Sequence, residues 1–322
     1  MLPATTCATT SAFNRPPSAC CAKLSYLRPM IALYGRRLPE ESLPYVEEML
    51  NVLSRGGEAL CLYRGLQDRA NNQWNTGWNF PTFKTPAELQ AQNPTLVLCL
   101  GGDGTMLDAS TLVGRSGIPL LGINVGRLGF LASVPRAEAA DTLEAVLRGE
   151  YTVEERNLLQ AETRGGGLTL DPNFALNELA VSRKGTTSMI SVHVHLNDAF
   201  LNTYWADGLV IATPTGSTGY NLSCGGPILI PGSDNFIITP IAPHNLTVRP
   251  IVIPNTDTIT LRIEAREESY LASLDSRVYS LDVSTEIILR RADFKLRLVR
   301  TLNSDFATTL RNKLLWGLDR RN

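Results

Sequence analysis

The sequence predicts two domains, an N-terminal α/β domain followed by an all-β domain, closed by a C-terminal helix. Three observations carry this. The chain has 322 residues and 43% hydrophobic content, enough to bury two cores. From Met30 to about residue 131, short apolar runs alternate with stretches of helical period, the pattern of parallel βαβ units buried on both faces. After Ala132 the pattern changes to short period-2 runs separated by turn residues, as in an all-β domain.

In order along the chain, 30–34 reads as the first strand. Residues 43–53 read as an amphipathic helix, with Leu43, Val46, Met49, Leu50 and Leu53 at helical spacing. Strands are expected at 58–62 and 95–100, a helix at 107–113 and a strand at 118–123. Between the second and third strands lies 64–85, polar and carrying Trp74, Trp78, Phe80 and Phe83. It reads as a long loop, hence a lid, an interface or disorder. A helix follows at 137–147, and Gly165-Gly166-Gly167 marks a turn. Strands are expected at 190–196, 209–212, 251–253, 258–263, 286–289 and 294–299, with tight turns at Asn197-Asp198 and Asp275-Ser276. Residues 305–317 return to helix, with Phe306, Leu310, Leu314 and Leu315 on one side, and should pack back on the first domain. The domains therefore divide as 28–131 plus 304–322, and 132–303. Residues 1–27, rich in Ser, Thr, Ala, Pro and Cys and without an acid, read as a disordered extension or the result of a start codon placed too early. Their bias is that of a transit peptide, without a secretory apolar core.

Charge is balanced, 30 basic residues against 31 acidic, so no sequence-wide footprint for nucleic acid exists. No apolar run approaches the roughly 20 residues of a membrane helix, and no membrane partner is expected. Six cysteines without C-x-x-C spacing suggest free thiols in a reducing, cytoplasmic setting.

Four clusters carry chemistry. Gly101-Gly102-Asp103-Gly104-Thr105 follows an apolar strand and opens a helix. Glycines admit phosphates close to the backbone, and the helix start offers unpaired N–H donors. A carboxylate in such a cradle repels phosphate, so Asp103 points to other chemistry, either accepting a proton from an attacking hydroxyl or holding Mg²⁺. The plain alternative is an ordinary Gly-Asp-Gly turn. Neither a Walker A loop nor a dinucleotide fingerprint is present. The second cluster, Gly122-Ile123-Asn124-Val125-Gly126-Arg127-Leu128-Gly129-Phe130-Leu131, sits at a strand's carboxyl end. It suits phosphate or ribose contact equally with an interdomain hinge, and Arg127 is its only cation. The third, Asn177-Glu178, is set in the apolar stretch 174–181. Burying both costs several kcal/mol unless they are bonded, as by a pair of ribose hydroxyls, although a strand-end turn fits too. The fourth runs from Asp207-Gly208 through Thr213-Pro214-Thr215-Gly216-Ser217-Thr218-Gly219-Tyr220 to Ser223-Cys224-Gly225-Gly226-Pro227. Its hydroxyls suit a polar nucleoside, and the tyrosine offers a stacking face. A flexible linker shares that composition but would not be framed by strands. His193 and His195 alternate on a strand and, with no third ligand in reach, read as a solvated face rather than a metal pair.

In this order the clusters resemble the NAD kinase family, over the chain from Met30 to its end. The Gly-Gly-Asp-Gly segment alone is shared with lipid kinases; the Thr-Pro-Thr-Gly-Ser-Thr-Gly-Tyr segment is far more specific. The resemblance implies a Rossmann-like α/β domain and a β-sandwich-like domain. It implies Mg²⁺-dependent transfer of the ATP γ-phosphate to the adenosine-side ribose 2′-hydroxyl of NAD, giving NADP. The divalent cation would arrive with ATP rather than on fixed protein ligands. Asp103 would be the general base, with Gly101, Gly102, Thr105 and Arg127 at the ATP phosphates. NAD would be held by Asp103, Gly104, Asn177, Glu178, Trp205, Asp207, Thr218, Gly219, Tyr220, Asn221, Leu222, Ser223 and Ala242. A homodimer or homotetramer is implied as well. Trp205, Arg277 and Asp108 depart from the commoner family pattern, which bears on nicotinamide recognition and donor preference. A lipid kinase would need an apolar acceptor pocket or a basic amphipathic helix, and the 213–223 loop is polar. A regulator without catalysis would not need Asp103.

Overall fold

A computed structural model describes residues 29–126, 129–185, 188–301 and 306–315. The segment 1–27 and Arg127 lie outside them. Strands β1 (Met30–Tyr34), β2 (Ala59–Tyr63), β3 (Thr82–Phe83), β4 (Leu96–Leu100) and β5 (Leu120–Asn124) run parallel in the order 5-4-1-2-3. A short β6 (Val134–Pro135) pairs with β5. Helices α1 (Leu43–Arg55), α2 (Arg64–Trp74) and α5 (Ala139–Leu147) cover one face, and α3 (Pro86–Ala91) and α4 (Asp103–Val113) the other. Both faces are apolar because both are covered. Ile31 and Leu33 of β1 pack with Val46, Met49 and Leu53 of α1, whereas Ala32 and Tyr34 pack towards Met106 and Ala109 of α4. Each fully buried Leu or Ile side chain contributes about 1.5–3 kcal/mol.

The expected loop at 64–85 is instead a helix with a return strand. Only Leu66 and Ala70 of α2 are buried, so its apolar stripe is too thin to read from sequence. The return is tied by side chains. Asn71 receives Thr76 Oγ1 at 2.8 Å and the Trp78 N–H at 2.7 Å, and Gln67 receives the Phe80 N–H at 2.9 Å.

The all-β half contains β7 (Tyr151–Arg164), β8 (Phe174–Ala175), β9 (Glu178–Ser182), β10 (Ile190–Leu196), β11 (Ala199–Ala206), β12 (Gly208–Ala212), β13 (Asn235–Ile241), β14 (Ile251–Pro254), β15 (Ile259–Glu264), β16 (Ser269–Leu274), β17 (Arg277–Asp282) and β18 (Glu286–Thr301). The strands expected at 286–289 and 294–299 are one, β18, broken only by a register shift between Arg291 and Lys295 against β7. Its far end pairs parallel with β5, Leu298 opposite Leu120, so one twelve-stranded sheet runs through both halves. A six-stranded sheet, in the order 14-13-12-9-16-17, packs face to face on the β10, β15 and β18 end. Val192, Leu261 and Leu289 meet Leu209, Phe236 and Tyr270 between the sheets. The last two helices are α6 (Tyr220–Ser223) and α7 (Phe306–Leu314), and Lys313 of α7 sits 5.2 Å from the Phe130 ring centroid.

In the parallel sheet the crossovers reverse direction between β1 and β4. Open α/β sheets hold ligands at such a reversal, outside the carboxyl ends of the strands. The segments leaving those two ends are Gly35-Arg36 and Gly101-Gly102.

Candidate active site

Helix α4 opens directly from β4, with Gly102 in an extended conformation and Asp103 in the first turn. Gly101 is required by packing: a Cβ there would lie 2.1 Å from Thr105 Oγ1. Gly102 and Gly104 differ, since a Cβ on either would meet no described atom within 4 Å. Among the described residues nothing demands glycine at these two positions, which leaves room there for a ligand close to the helix amides.

Asp103 binds the second glycine cluster. Its Oδ1 accepts from the Leu131 and Ala132 N–H groups at 3.0 and 3.1 Å, and its Oδ2 accepts from the Phe130 N–H at 2.9 Å. Gly129 must be glycine for this, because a Cβ would stand 1.8 Å from Asp103 Oδ1. Gly122 allows the same approach from below, its Cβ position being 2.8 Å from both Ala132 Cα and Met106 Sδ. Within the described part of the second cluster, the turn from Gly129 to Ala132 is thus folded around the carboxylate.

A cation not anticipated from sequence lies at the reversal. Arg36 Nη1 bridges Asp108 Oδ2 of α4 at 2.9 Å, and Arg36 Nε donates to Tyr34 Oη at 3.0 Å. Its side chain is 60% exposed, which leaves it able to meet a further anion. Arg36 is therefore a candidate counter-charge beside α4 that the expectation built on Arg127 alone did not include. Burial pushes the Tyr34 hydroxyl up to about 12, the Arg36 charge opposing.

Asn177 and Glu178 sit where β9 begins. Asp275, in the β16–β17 turn with φ +52°, accepts the N–H groups of Leu176, Asn177 and Glu178 at 2.9, 2.8 and 3.1 Å. Arg277 fixes the approach to that turn by donating to the carbonyls of Pro172, at 2.7 Å, and Phe174. Burial raises the pKa of Asp275 against those three donors and Arg277. Ser276 Oγ reaches Asp108 Oδ1 at 3.5 Å, so this turn abuts α4. Glu178 Oε2 and Asn177 Oδ1 are buried with no hydrogen-bond partner among the described residues. Burial, then the Asp275 charge, pushes the Glu178 pKa up to about 8, against a bond from the Tyr220 backbone. Such orphaned acceptors are expensive in a finished core and ordinary at a site awaiting donors.

The 213–223 loop wraps this pair. Thr213 N and Oγ1 bond the carbonyls of Asn177 and Leu176 at 2.8 and 2.6 Å. Gly216 and Gly219 are needed for contact, their Cβ positions lying 2.1 Å from Asn177 O and 2.9 Å from Glu178 Oε2. Thr218 and Gly219 are partly buried, while Tyr220, Ser223 and Ala242 are exposed. Asn221 differs from its neighbours in being wholly buried. Its Nδ2 donates to the Ser217 and Pro227 carbonyls, both at 3.0 Å, and its Oδ1 accepts from Thr239 Oγ1 at 2.6 Å. That side chain holds the loop and faces no opening. Asp207 is paired by Arg183 Nε at 2.8 Å, and the half-exposed Trp205 ring lies 4.2 Å from that of His244, which follows Ala242 and Pro243. Away from the site, His193 bonds Thr203 Oγ1 at 2.8 Å and nears Glu264 at 3.4 Å, and His195 meets the Phe200 ring edge-on.

Sequence reading missed Arg36, Arg183 and the locking role of Asp275. The last left one signal, an Asp-Ser pair at a turn, but its partners lie 98 residues away.

Comparison with known proteins follows the same division. A family model described as the ATP-NAD kinase N-terminal domain matches residues 38–151, and one described as the ATP-NAD kinase C-terminal domain matches 176–301. The curated NAD kinase of Flavobacterium psychrophilum is 52% identical over 293 residues, covering 91% of this chain and 99% of its own. That of Flavobacterium johnsoniae is 44% identical over 300 residues with the same coverage. A crystal structure of yeast NADH kinase complexed with NADH matches with a TM-score of 0.79 at 22% identity, covering 91% of this chain and 89% of that one. An NAD kinase from Archaeoglobus fulgidus in complex with ATP matches at 0.68 and 23% identity, covering 88% and 97%. At such identities these two structures speak to the fold.

Proposed function

The chain belongs to the NAD kinase family, and from that premise we propose that Asp103 takes the proton of the NAD ribose 2′-hydroxyl as ATP delivers its γ-phosphate. The activity is ATP-dependent phosphorylation of NAD. The observation that carries the role of Asp103 is its clamp. Two amide donors fill the lone pairs of Oδ1, and one donor leaves a lone pair on Oδ2 for a proton. A sugar hydroxyl ionises far above neutral pH, and a positioned base is worth ~10²–10⁴ in rate.

The open space over Gly102 and Gly104 receives phosphates against the α4 amides, with Gly101 and Thr105 shaping its floor. Arg36 joins Arg127 as a counter-charge for ATP. Asn177 and Glu178 accept the ribose hydroxyls that their unpartnered oxygens await. Trp205, Asp207, Thr218, Gly219, Tyr220, Leu222, Ser223 and Ala242 line the base-binding ends, and Asn221 positions the loop from behind. Mg²⁺, or another divalent cation, would ride on the ATP phosphates rather than on fixed protein ligands. When bound, the cation neutralises charge on the γ-phosphoryl oxygens. A cytoplasmic dimer or tetramer is part of the same reading.

Purified protein mixed with NAD, ATP and Mg²⁺ should yield NADP, measured with an NADP-specific dehydrogenase. Arg36→Ala should raise KM for ATP about tenfold, ~1.4 kcal/mol, and leave KM for NAD near its original value. An unchanged KM for ATP removes Arg36 from the donor site, and absence of NADP removes the catalytic reading itself.

A further inference from the structure

A second polar cleft lies behind the loop that holds Asp103. Phe130, Ile230, Pro231 and Phe306 form its apolar wall around a cavity of about 120 Å³, and Arg156, Arg300 and Glu154 form its charged side. Strand alternation sets Glu154 and Arg156 on one face of β7. The register with β18, Leu298 opposite Glu154, brings Arg300 to the same face.

The charges do not balance. Glu154 Oε2 accepts from Arg156 Nη2 at 2.5 Å and from Arg300 Nε at 3.1 Å, so one carboxylate oxygen serves two guanidiniums. Arg300 Nη1 is held by Ser133 Oγ at 2.8 Å. The Arg156 side chain is only 4% exposed, and its Nε is buried without a hydrogen-bond partner among the described residues. Burial, then the Arg300 charge, pushes the Arg156 pKa down to about 10, with Glu154 opposing, so it stays protonated at neutral pH. Lys313, over the Phe130 ring, adds a third cation beside the wall. A buried guanidinium that shares its one carboxylate with a second cation is only half compensated, and planar guanidinium forks are matched by oxyanions. A cavity of that size has room for an oxyanion together with hydrating water.

We propose that this cleft is a second anion site, separate from the dinucleotide pocket, taking one oxyanion of the phosphate class on Arg156 and Arg300. It stands independently of the role given to Asp103. Its occupant would bear on that residue all the same: the amides of Phe130, Leu131 and Ala132 hold Asp103, and the adjoining Ser133 holds Arg300.

The test titrates inorganic phosphate into the full chain in chloride buffer by calorimetry, for wild type, Arg300→Gln and Glu154→Gln, with circular dichroism confirming that each is folded. Arg300→Gln should weaken binding at least about tenfold, the loss of a charge-assisted contact. Glu154→Gln should tighten it by about fivefold, because a competing carboxylate charge is gone. Phosphate held at the 101–105 cradle would be blind to both changes. Equal affinity in all three proteins, or no binding to wild type at about 10 mM, overturns the proposal. Tripolyphosphate separates two sources of the same chemistry. Tighter binding than orthophosphate that is still lost in Arg300→Gln assigns the site to the end of a longer phosphate chain, and equal binding to free phosphate.

Discussion

Replacing Asp103 by Asn separates two duties of one carboxylate. The side chains are isosteric, but the amide has only one acceptor atom. If it keeps the Leu131 and Ala132 donors at 3.0 and 3.1 Å, its NH₂ must face the Phe130 N–H, now 2.9 Å from Oδ2, donor against donor. Losing a hydrogen bond to a charged acceptor costs about 1.5–3 kcal/mol. Each kcal/mol lowers Tm by about 2–4 °C in a chain of this order of size. Stability should therefore fall modestly while kcat falls by at least ~100-fold, since no base remains for the 2′-hydroxyl. The assay is NADP formation at saturating NAD and ATP, alongside thermal melting. The companion variant is Gly122→Ala, whose Cβ would press on Ala132 Cα and Met106 Sδ, both 2.8 Å away, and so displace the same loop without touching the carboxylate. If loop position alone explained the loss, Gly122→Ala would match it. Turnover of Asp103→Asn within about threefold of wild type would refute the base assignment outright.

For Gly122→Ala itself, overpacking of about 1–3 kcal/mol and a kcat loss below about tenfold are expected, read by urea denaturation and the same kinetic assay. Glu178 makes stability depend on pH. Its pKa in the folded protein, about 8, lies above the ordinary value of 4.5, so the folded state binds more protons between those values and stability falls as pH rises through that window. Glu178→Gln should therefore stabilise the protein at pH 9 relative to pH 5, and an identical gain at both would dismiss the shift. If the ionised form accepts a ribose hydroxyl, KM for NAD should fall as pH rises towards about 8 in wild type and stay flat in that variant. Asn221→Ala leaves Thr239 Oγ1 and two carbonyls without partners and should cost about 2–4 kcal/mol. A urea midpoint equal to that of wild type would show that Asn221 does not hold the loop.

Local pattern was enough for much of this molecule. The alternation of apolar strand and helical period around α1 and α4, the switch to period-2 runs after Ala132, and the glycine, asparagine and hydroxyl clusters are all written within a few residues of each other. Local chemistry needs only local spacing to be visible. Two kinds of feature escaped. Helix α2, with only Leu66 and Ala70 buried, owes its stability to Asn71 and Gln67 bonding a returning chain, a tertiary cause with little periodicity. The two strands expected at 286–299 are one, because a bulge hides continuity that only pairing with β7 reveals.

The sequence by itself determined the chemistry available: a carboxylate among glycines, an amide and a carboxylate in an apolar stretch, and hydroxyls in a framed loop. Tertiary structure decided what those groups do. Folding brings Phe130 to Ala132 around Asp103, Asp275 under Asn177 and Glu178, and Arg36 to Asp108, across separations from 27 residues for Phe130 to 98 for Asn177. Such contacts depend on sheet order and strand register, which are fixed by the burial of whole faces and leave no periodic trace in the chain.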